Sequence, residues 1–168
     1  MKDVYKKLLL EMLANSKRSD RELAKALRVS QPTITRARNW LEKNNFINEY
    51  TVIPDFSKIG LELVAFTFVK LCIGSTKEKY EEVKKSARSH LTRHPNVVMA
   101  LRGEGMGCDG IIVSLHRDFA EFTQFMRELK TEAVDTEVVG SFLASLQDGN
   151  QYRELTFRHI KEYVDRED

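Results

Sequence analysis

Residues 19–42 read SDRELAKALRVSQPTITRARNWLE, and the fold of the N-terminal part turns on them. Ser19 stands three residues before Glu22, the spacing at which a cap and a first helical turn satisfy each other reciprocally. A helix is predicted from there, with Leu23, Ala24 and Leu27 as its apolar side. Ser30 is a second natural N-cap, and Pro32 falls in the following first turn, where a missing N–H costs little. The helix it opens is predicted to run to about Asn44, with Ile34, Ala37 and Leu41 on one side. Two short helices joined by a tight turn form a helix-turn-helix pattern. Ala24 is small enough for the pair to cross closely, and Ile34, ten positions on, packs beneath the second helix.

An ordinary three-helix bundle that binds nothing could have the same core. The outward face of the last helix favours a nucleic-acid partner. It carries Gln31, Thr33, Thr35, Arg36 and Asn39, with Arg38 nearby, and has no acid before Glu42. Amides, hydroxyls and guanidinium groups read base edges in the major groove or grip phosphate. A merely solvated helix more often alternates Glu and Lys four apart. The candidate phosphate contacts are Lys17, Arg18, Arg21, Arg36 and Arg38, and the candidate base readers are Gln31, Thr33, Thr35 and Asn39. Ser30, at the start of the helix, completes this candidate double-stranded DNA interface.

Charge is distributed to match. Residues 1–47 contain eleven Lys and Arg against five acids, whereas the remainder holds sixteen against twenty, within a net charge of only +2. A basic unit joined to an acidic one suggests that the first alone meets a polyanion. Upstream, Val4, Leu8 and Met12, with Leu9 and Leu13 alongside, predict a first helix over 4–13 that Asn15-Ser16 breaks. Downstream, Asn44-Asn45 closes the third helix, since Asn tolerates the left-handed conformation. Phe46 to Ile53 is expected to run extended against the bundle and lead away as a linker ended by Pro54, with Trp40 packed on the wing or linker rather than on a base. The expected organisation is a DNA-binding unit over 1–47, a linker strand over 48–61, and a second domain over 62–168.

In the second domain, residues 63–73 are rich in β-branched and aromatic types. Ala65, Val69, Leu71 and Ile73 alternate with Val64, Phe66, Phe68 and Cys72, so both faces are apolar and both need cover. Helices of this chain can cover one, and a second subunit the other. A charged helix over 76–94 follows, with Tyr80, Val83, Ala87 and Leu91 inward, then strands over 97–101 and 111–116. A helix capped by Asp118 runs through Lys130 with Phe119, Phe122, Phe125, Met126 and Leu129 inward, and the last strand spans 137–146. The order βαββαβ predicts the split-βαβ, ferredoxin-like architecture, so the chain as a whole is read as α+β. A final amphipathic helix is expected over 150–165, from Tyr152, Leu155, Ile160 and Val164.

Composition narrows the function classes. No apolar run approaches the ~20 residues of a membrane span, and the N-terminus lacks the apolar core and small-residue cleavage site of a secretory signal. Cys72 and Cys108 make neither a disulfide framework nor a metal-type spacing, so a reducing, cytoplasmic setting is expected. Cys108 beside Met106 would be redox-sensitive if exposed, with a small packed residue as the default. His90 and His94, four apart on a helix, could face one metal, but the sequence offers no evident third ligand and a surface pair is the simpler reading. Neither a catalytic triad spacing nor a cofactor motif is present, so no enzyme, metal or cofactor is expected.

Ser19 to Leu27, the Ser30-started helix ending Leu41-Glu42, Phe46-Ile47 with Tyr50-Thr51, Ile59-Gly60 and a Gly-rich turn ending in Asp109 together resemble the Lrp/AsnC, or feast/famine, regulators. The resemblance spans nearly the whole chain, through order and spacing rather than any single motif. It implies a winged helix-turn-helix, a linker strand and a βαββαβ domain that dimerises through its sheet. It also implies higher homo-oligomers and, in many members, an amino-acid effector. Three positions depart from the family pattern. Arg28 stands at the usual turn glycine, so an Arg must take a positive φ at a cost of about 1 kcal/mol. Arg38 stands where an apolar residue is usual; Ala37 can take over the packing and leave Arg38 for phosphate. The family's Gly-x-x-Asp turn is lengthened to Gly103-Glu104-Gly105-Met106-Gly107-Cys108-Asp109.

That segment has two readings. As an effector loop, Gly103, Glu104, Gly105, Met106 and Gly107 bring backbone N–H groups to a ligand carboxylate, and Asp109 meets its ammonium group. As a hairpin connection, Asp109 is simply a turn residue. Two further functions stay open beside a sequence-specific regulator. One is an enzyme like the siroheme decarboxylases, which resemble this family; the other is an architectural protein that compacts DNA without sequence preference.

Overall fold

We describe the chain from a computed structural model that covers residues 2–72, 77–132, 136–147 and 150–165. The expected strand residue Ile73 and the Tyr80 side chain lie outside the described set. The chain forms two compact units, Met1–Ile53 with Glu154–Asp168, and Pro54–Arg153. Among the described residues, no helix is long and apolar enough to cross a membrane.

The first unit begins with α1 (Asp3–Ala14), α2 (Asp20–Leu27) and α3 (Gln31–Lys43). Leu8, Met12, Leu23, Ala24, Ile34, Ala37 and Leu41 meet in one buried cluster, and four of them (Leu8, Leu23, Ile34 and Leu41) are large and wholly shielded. Each such side chain contributes about 1.5–3 kcal/mol of burial, so truncating Leu41 or Ile34 to Ala would cost about 2–5 kcal/mol. The expected caps are in place. Glu22 N–H donates to Ser19 Oγ at 3.3 Å, while Ser19 N–H donates to Glu22 Oε2 at 2.7 Å. Thr33 N–H donates to Ser30 Oγ at 3.3 Å.

Both turns after α2 and α3 close the same way. Arg28 takes φ 54°, Val29 N–H returns to Ala24 O at 3.0 Å, and Arg28 N–H to Lys25 O at 3.3 Å. Asn45 takes φ 57°, with Phe46 N–H on Leu41 O at 2.9 Å. This paired return satisfies helix-end carbonyls and requires a left-handed residue, a position glycine fills without strain. Trp40 packs between a tilted Tyr5 ring and a stacked Phe46 ring, at 4.8 and 5.2 Å between centroids, as its expected structural role demands.

Residues 48–56 form no strand. The expected linker strand over 48–61 instead ends in a 3₁₀ turn, Ser57–Ile59, because a strand needs a partner for its backbone groups and none pairs here among the described residues. The helix expected over 150–165 contracts to α6 (Ile160–Val164). Residues 151–157 are irregular and Tyr152 is fully exposed, since short helices persist only where a face is packed. The segment from Glu154 groups with the first unit, not with the second domain where it was expected. α6 contacts α1, and Lys161 Nζ sits 2.5 Å from Glu11 Oε1.

The second unit holds β1 (Leu63–Leu71), α4 (Lys77–Leu91), β2 (Val97–Gly105), β3 (Cys108–His116), α5 (Phe119–Glu132) and β4 (Thr136–Ser145). The order across the antiparallel sheet is β2-β3-β1-β4, the expected βαββαβ arrangement. Ala65, Thr67 and Val69 of β1 are buried, and Val69 and Ile112 pack with Phe125 and Leu129 of α5. The alternate residues carry the opposite face, where Phe66 pairs with Phe142 at 6.3 Å between rings and Phe142 stays 62% exposed.

Candidate functional site

The α3 surface divides the sequence-predicted interface into two sets. Gln31, Arg36 and Asn39 are exposed, and Thr33 is half-buried. Arg36 Nε curls back to Pro32 O at 3.2 Å, leaving the rest of its guanidinium on the exposed surface. Ser30 spends its hydroxyl on the helix cap and on Thr33 Oγ1 at 2.8 Å. Lys17 and Arg21 are exposed on the turn before α2 and in its first turn.

Arg38, Thr35 and Arg18 are engaged inside the unit. Arg38 donates through Nε and Nη2 to Asp20 Oδ1, at 3.0 and 2.6 Å, and Thr35 Oγ1 donates to Asp20 Oδ2 at 2.8 Å. Burial pushes the Asp20 carboxyl up, but these Thr35 and Arg38 bonds outweigh it and hold it below the usual carboxylate range. Arg38 Nη1 also reaches the Tyr50 hydroxyl at 3.4 Å, and that hydroxyl donates to Glu42 Oε1 at 2.6 Å. Arg38 therefore fastens α3 to α2 and to the segment after α3, rather than standing ready for phosphate. Ala37 does take over the core packing, at 0% exposure. Arg18 pairs with Glu11.

The glycine-rich segment of the second unit is a hairpin. Met106 (φ 53°) and Gly107 (φ 73°) form its two-residue turn, and Gly105 pairs with Cys108. Two consecutive positive φ values are the signature of the turn that matches strand twist. Gly110 has a different reason: a Cβ there would lie 3.0 Å from Leu101 O. Gly103, Glu104, Gly105, Met106 and Gly107 sit at the exposed tip of the hairpin. Asp109 does not. Its Oδ2 accepts from Leu71 N–H at 2.9 Å and so ties β3 to the end of β1. Cys108 is buried, with Sγ on Gly105 O at 2.9 Å, which is the packed reading.

Asp109 also lines a cavity of about 400 Å³ between α4, α5 and the sheet. Val69, Leu71, Ala87, Leu91, Ile112 and Leu129 make its walls, and Lys84, Arg88 and Arg102 bring cationic groups to it. Asp109 is the one member of the proposed effector loop among its lining residues. The sequence reading missed Lys84 and Arg88, which it took for the solvated side of α4. Their spacing of four was the available signal, since it places both on one helix face.

No family model matches the chain, and no curated protein does. Solved structures do. The transcriptional regulator NMB0573 of Neisseria meningitidis, in complex with L-Met, aligns over 95% of this chain and 99% of its own at 18% identity and TM-score 0.67. An AsnC family transcriptional regulator from Agrobacterium tumefaciens aligns over the same shares at 20% identity and TM-score 0.66. The leucine response regulatory protein LrpA of Mycobacterium tuberculosis aligns over 93% of this chain and 99% of its own, at 16% identity and TM-score 0.73. At such identities the likeness establishes the fold, and it is the fold of the Lrp/AsnC regulators, helix-turn-helix and ferredoxin-like sheet together.

Proposed function

We propose that this chain is a sequence-specific, DNA-binding transcription regulator that acts as a homodimer or an assembly of dimers. The observation that carries the reading is the exposed α3 stripe of Gln31, Arg36 and Asn39, backed by Lys17 and Arg21 on the same basic unit. In a dimer, two α3 helices would enter successive major grooves about 34 Å apart and read a near-palindromic operator. Gln31, Thr33 and Asn39 contact base edges, while Lys17, Arg21 and Arg36 meet phosphate. Dimer formation finds support in the sheet face of Phe66 and Phe142, where Phe142 stays 62% exposed. The second unit serves as the sensor. Its cavity suits a small amphipathic acid such as an amino acid, with Arg88 or Lys84 on the carboxylate and Asp109 Oδ1 on the ammonium group. The L-Met complex of the Neisseria regulator points to the same ligand class.

Selection from a random duplex pool at moderate salt tests the reading. Enrichment of a near-palindrome with half-sites one helical turn or a multiple apart establishes it. Retention without enrichment would make the protein an architectural one, and no retention at any salt would refute DNA binding outright.

A further inference from the structure

The C-terminal ends of α4 and α5 bring a histidine pair, four residues apart, together with a carboxylate from a distant helix. His90, in the last turn of α4, is buried, and His94 follows in the turn beyond it. Glu132 is the last residue of α5. One ligand atom from each lies within 4.8 Å of the others. His90 Nε2 faces His94 Nε2 at 3.2 Å, and His90 Nδ1 faces Glu132 Oε2 at 3.0 Å.

We propose that this cluster is a binding site for a divalent transition ion of the zinc class. Two nitrogens in one coordination sphere with bonds of about 2.1 Å stand about 3.0–3.4 Å apart, so an ion can seat between the facing Nε2 atoms with little movement. Glu132 acts on the other nitrogen of His90. By accepting the Nδ1 proton it fixes the tautomer whose Nε2 lone pair points at the ion, and it adds a negative charge nearby. Imidazole nitrogens without a thiolate suit zinc, cobalt or nickel better than calcium or magnesium. Helix ends add to this, because the cluster stands at the C-terminal ends of α4 and α5, where a cation is favoured. Water completes the sphere from the side of His94, which is only half-buried. The sequence displayed the His pair, and α5 supplies the carboxylate that spacing alone could not reveal. His90 also lines the cavity, so the ion would clamp α4 to α5 beside that wall. The proposal does not depend on DNA binding.

The test uses the full untagged chain carrying Cys72→Ser, so that the exposed thiol takes no part. Cobalt is titrated by its visible absorption and zinc by calorimetry, with thermal melting beside them. One ion per chain is expected, with a rise in melting temperature. His94→Gln, a half-buried position that leaves the core intact, should weaken binding more than tenfold and abolish the thermal shift. Glu132→Gln should weaken it by about 10–100-fold. No uptake at a tenfold excess of ion, or uptake that His94→Gln leaves unchanged, would overturn the site. A melt of His94→Gln without metal that matches its parent separates lost ligation from lost folding.

Discussion

Lys161 reaches the carboxylate of Glu11, 150 residues earlier in the chain, and Arg18 holds the other oxygen of that carboxylate. The Lys161 hydrogen bond, helped by Arg18, holds Glu11 below its ordinary value of 4.5 although burial opposes this. A carboxylate depressed in the fold stabilises it above the unfolded value, and the contribution is lost as pH falls through the folded one. Lys161→Ala should cost about 0.5–1 kcal/mol, because the pair is partly solvated. Glu11→Gln should cost more, about 1–2 kcal/mol, since it strands two cations. Urea unfolding at neutral pH checks the order, and both differences should shrink below pH 4.5.

Arg28 sits at φ 54°, where only glycine is unstrained. Arg28→Gly should raise stability by about 0.5–1 kcal/mol, less than the full left-handed penalty because glycine also gains freedom in the unfolded chain. Equal or lower stability by urea titration would show that the Arg28 side chain contributes more than its backbone costs.

Arg36 and Arg38 are two residues apart and should behave oppositely. Arg36→Ala should weaken operator binding, reduce the salt slope by about 1, and leave unfolding unchanged. Arg38→Ala should instead lower stability, because it strips Asp20 of its cationic partner and leaves only the Thr35 hydroxyl. Fluorescence anisotropy across a salt series, paired with thermal melts, separates the two. A reduced slope in Arg38→Ala at full stability would return that residue to the interface.

Asp109 has a structural bond and a proposed sensing role, and two substitutions part them. Asp109→Asn keeps an oxygen for Leu71 N–H but loses the charge, so stability should hold while any amino-acid response disappears. Asp109→Ala should lose both, with a stability cost of about 1–3 kcal/mol. An undiminished response in Asp109→Asn, read as effector-dependent DNA affinity, would remove this carboxylate from sensing.

His116 is fully buried, with Nε2 at 2.8 Å from Ser114 Oγ and its ring against Phe122 and Phe125. Burial lowers its pKa from 6.5, against a smaller upward pull from Glu121. The unfolded chain therefore binds this proton first as pH falls. Stability should be full above pH 6.5 and decline below it, and His116→Gln should flatten that decline. Denaturation midpoints measured across that pH range test the sign.

The sequence displayed what is local. Ser19 with Glu22, Ser30 with Thr33, and the left-handed Arg28 and Asn45 are decided within a few residues, and each lies where reading predicts. The succession of strands and helices followed from residue type and periodicity, and that succession implied the sheet arrangement. What stayed hidden joins distant elements. Asp20 meets Arg38 across two helices, Asp109 meets Leu71 across two strands, and Glu132 meets His90 from separate helices. In each case a charged side chain that composition assigns to solvent or ligand has a partner that only the fold supplies. The glycines left two readings open for a related reason. Hairpin turns and ligand loops demand the same backbone freedom, and the pairing of Gly105 with Cys108 is what makes this segment a hairpin.

The return of the segment from Glu154 to the first unit also has a consequence for synthesis. A ribosome emits α1, α2 and α3 first, yet α6 and its lysine emerge only after all four strands have been made. During that interval Glu11 waits with Arg18 alone, and the three-helix bundle must persist without its last piece. The unit that comes out first is thus the last to be completed, and the sheet can reach its native pairing while the bundle is still unfinished.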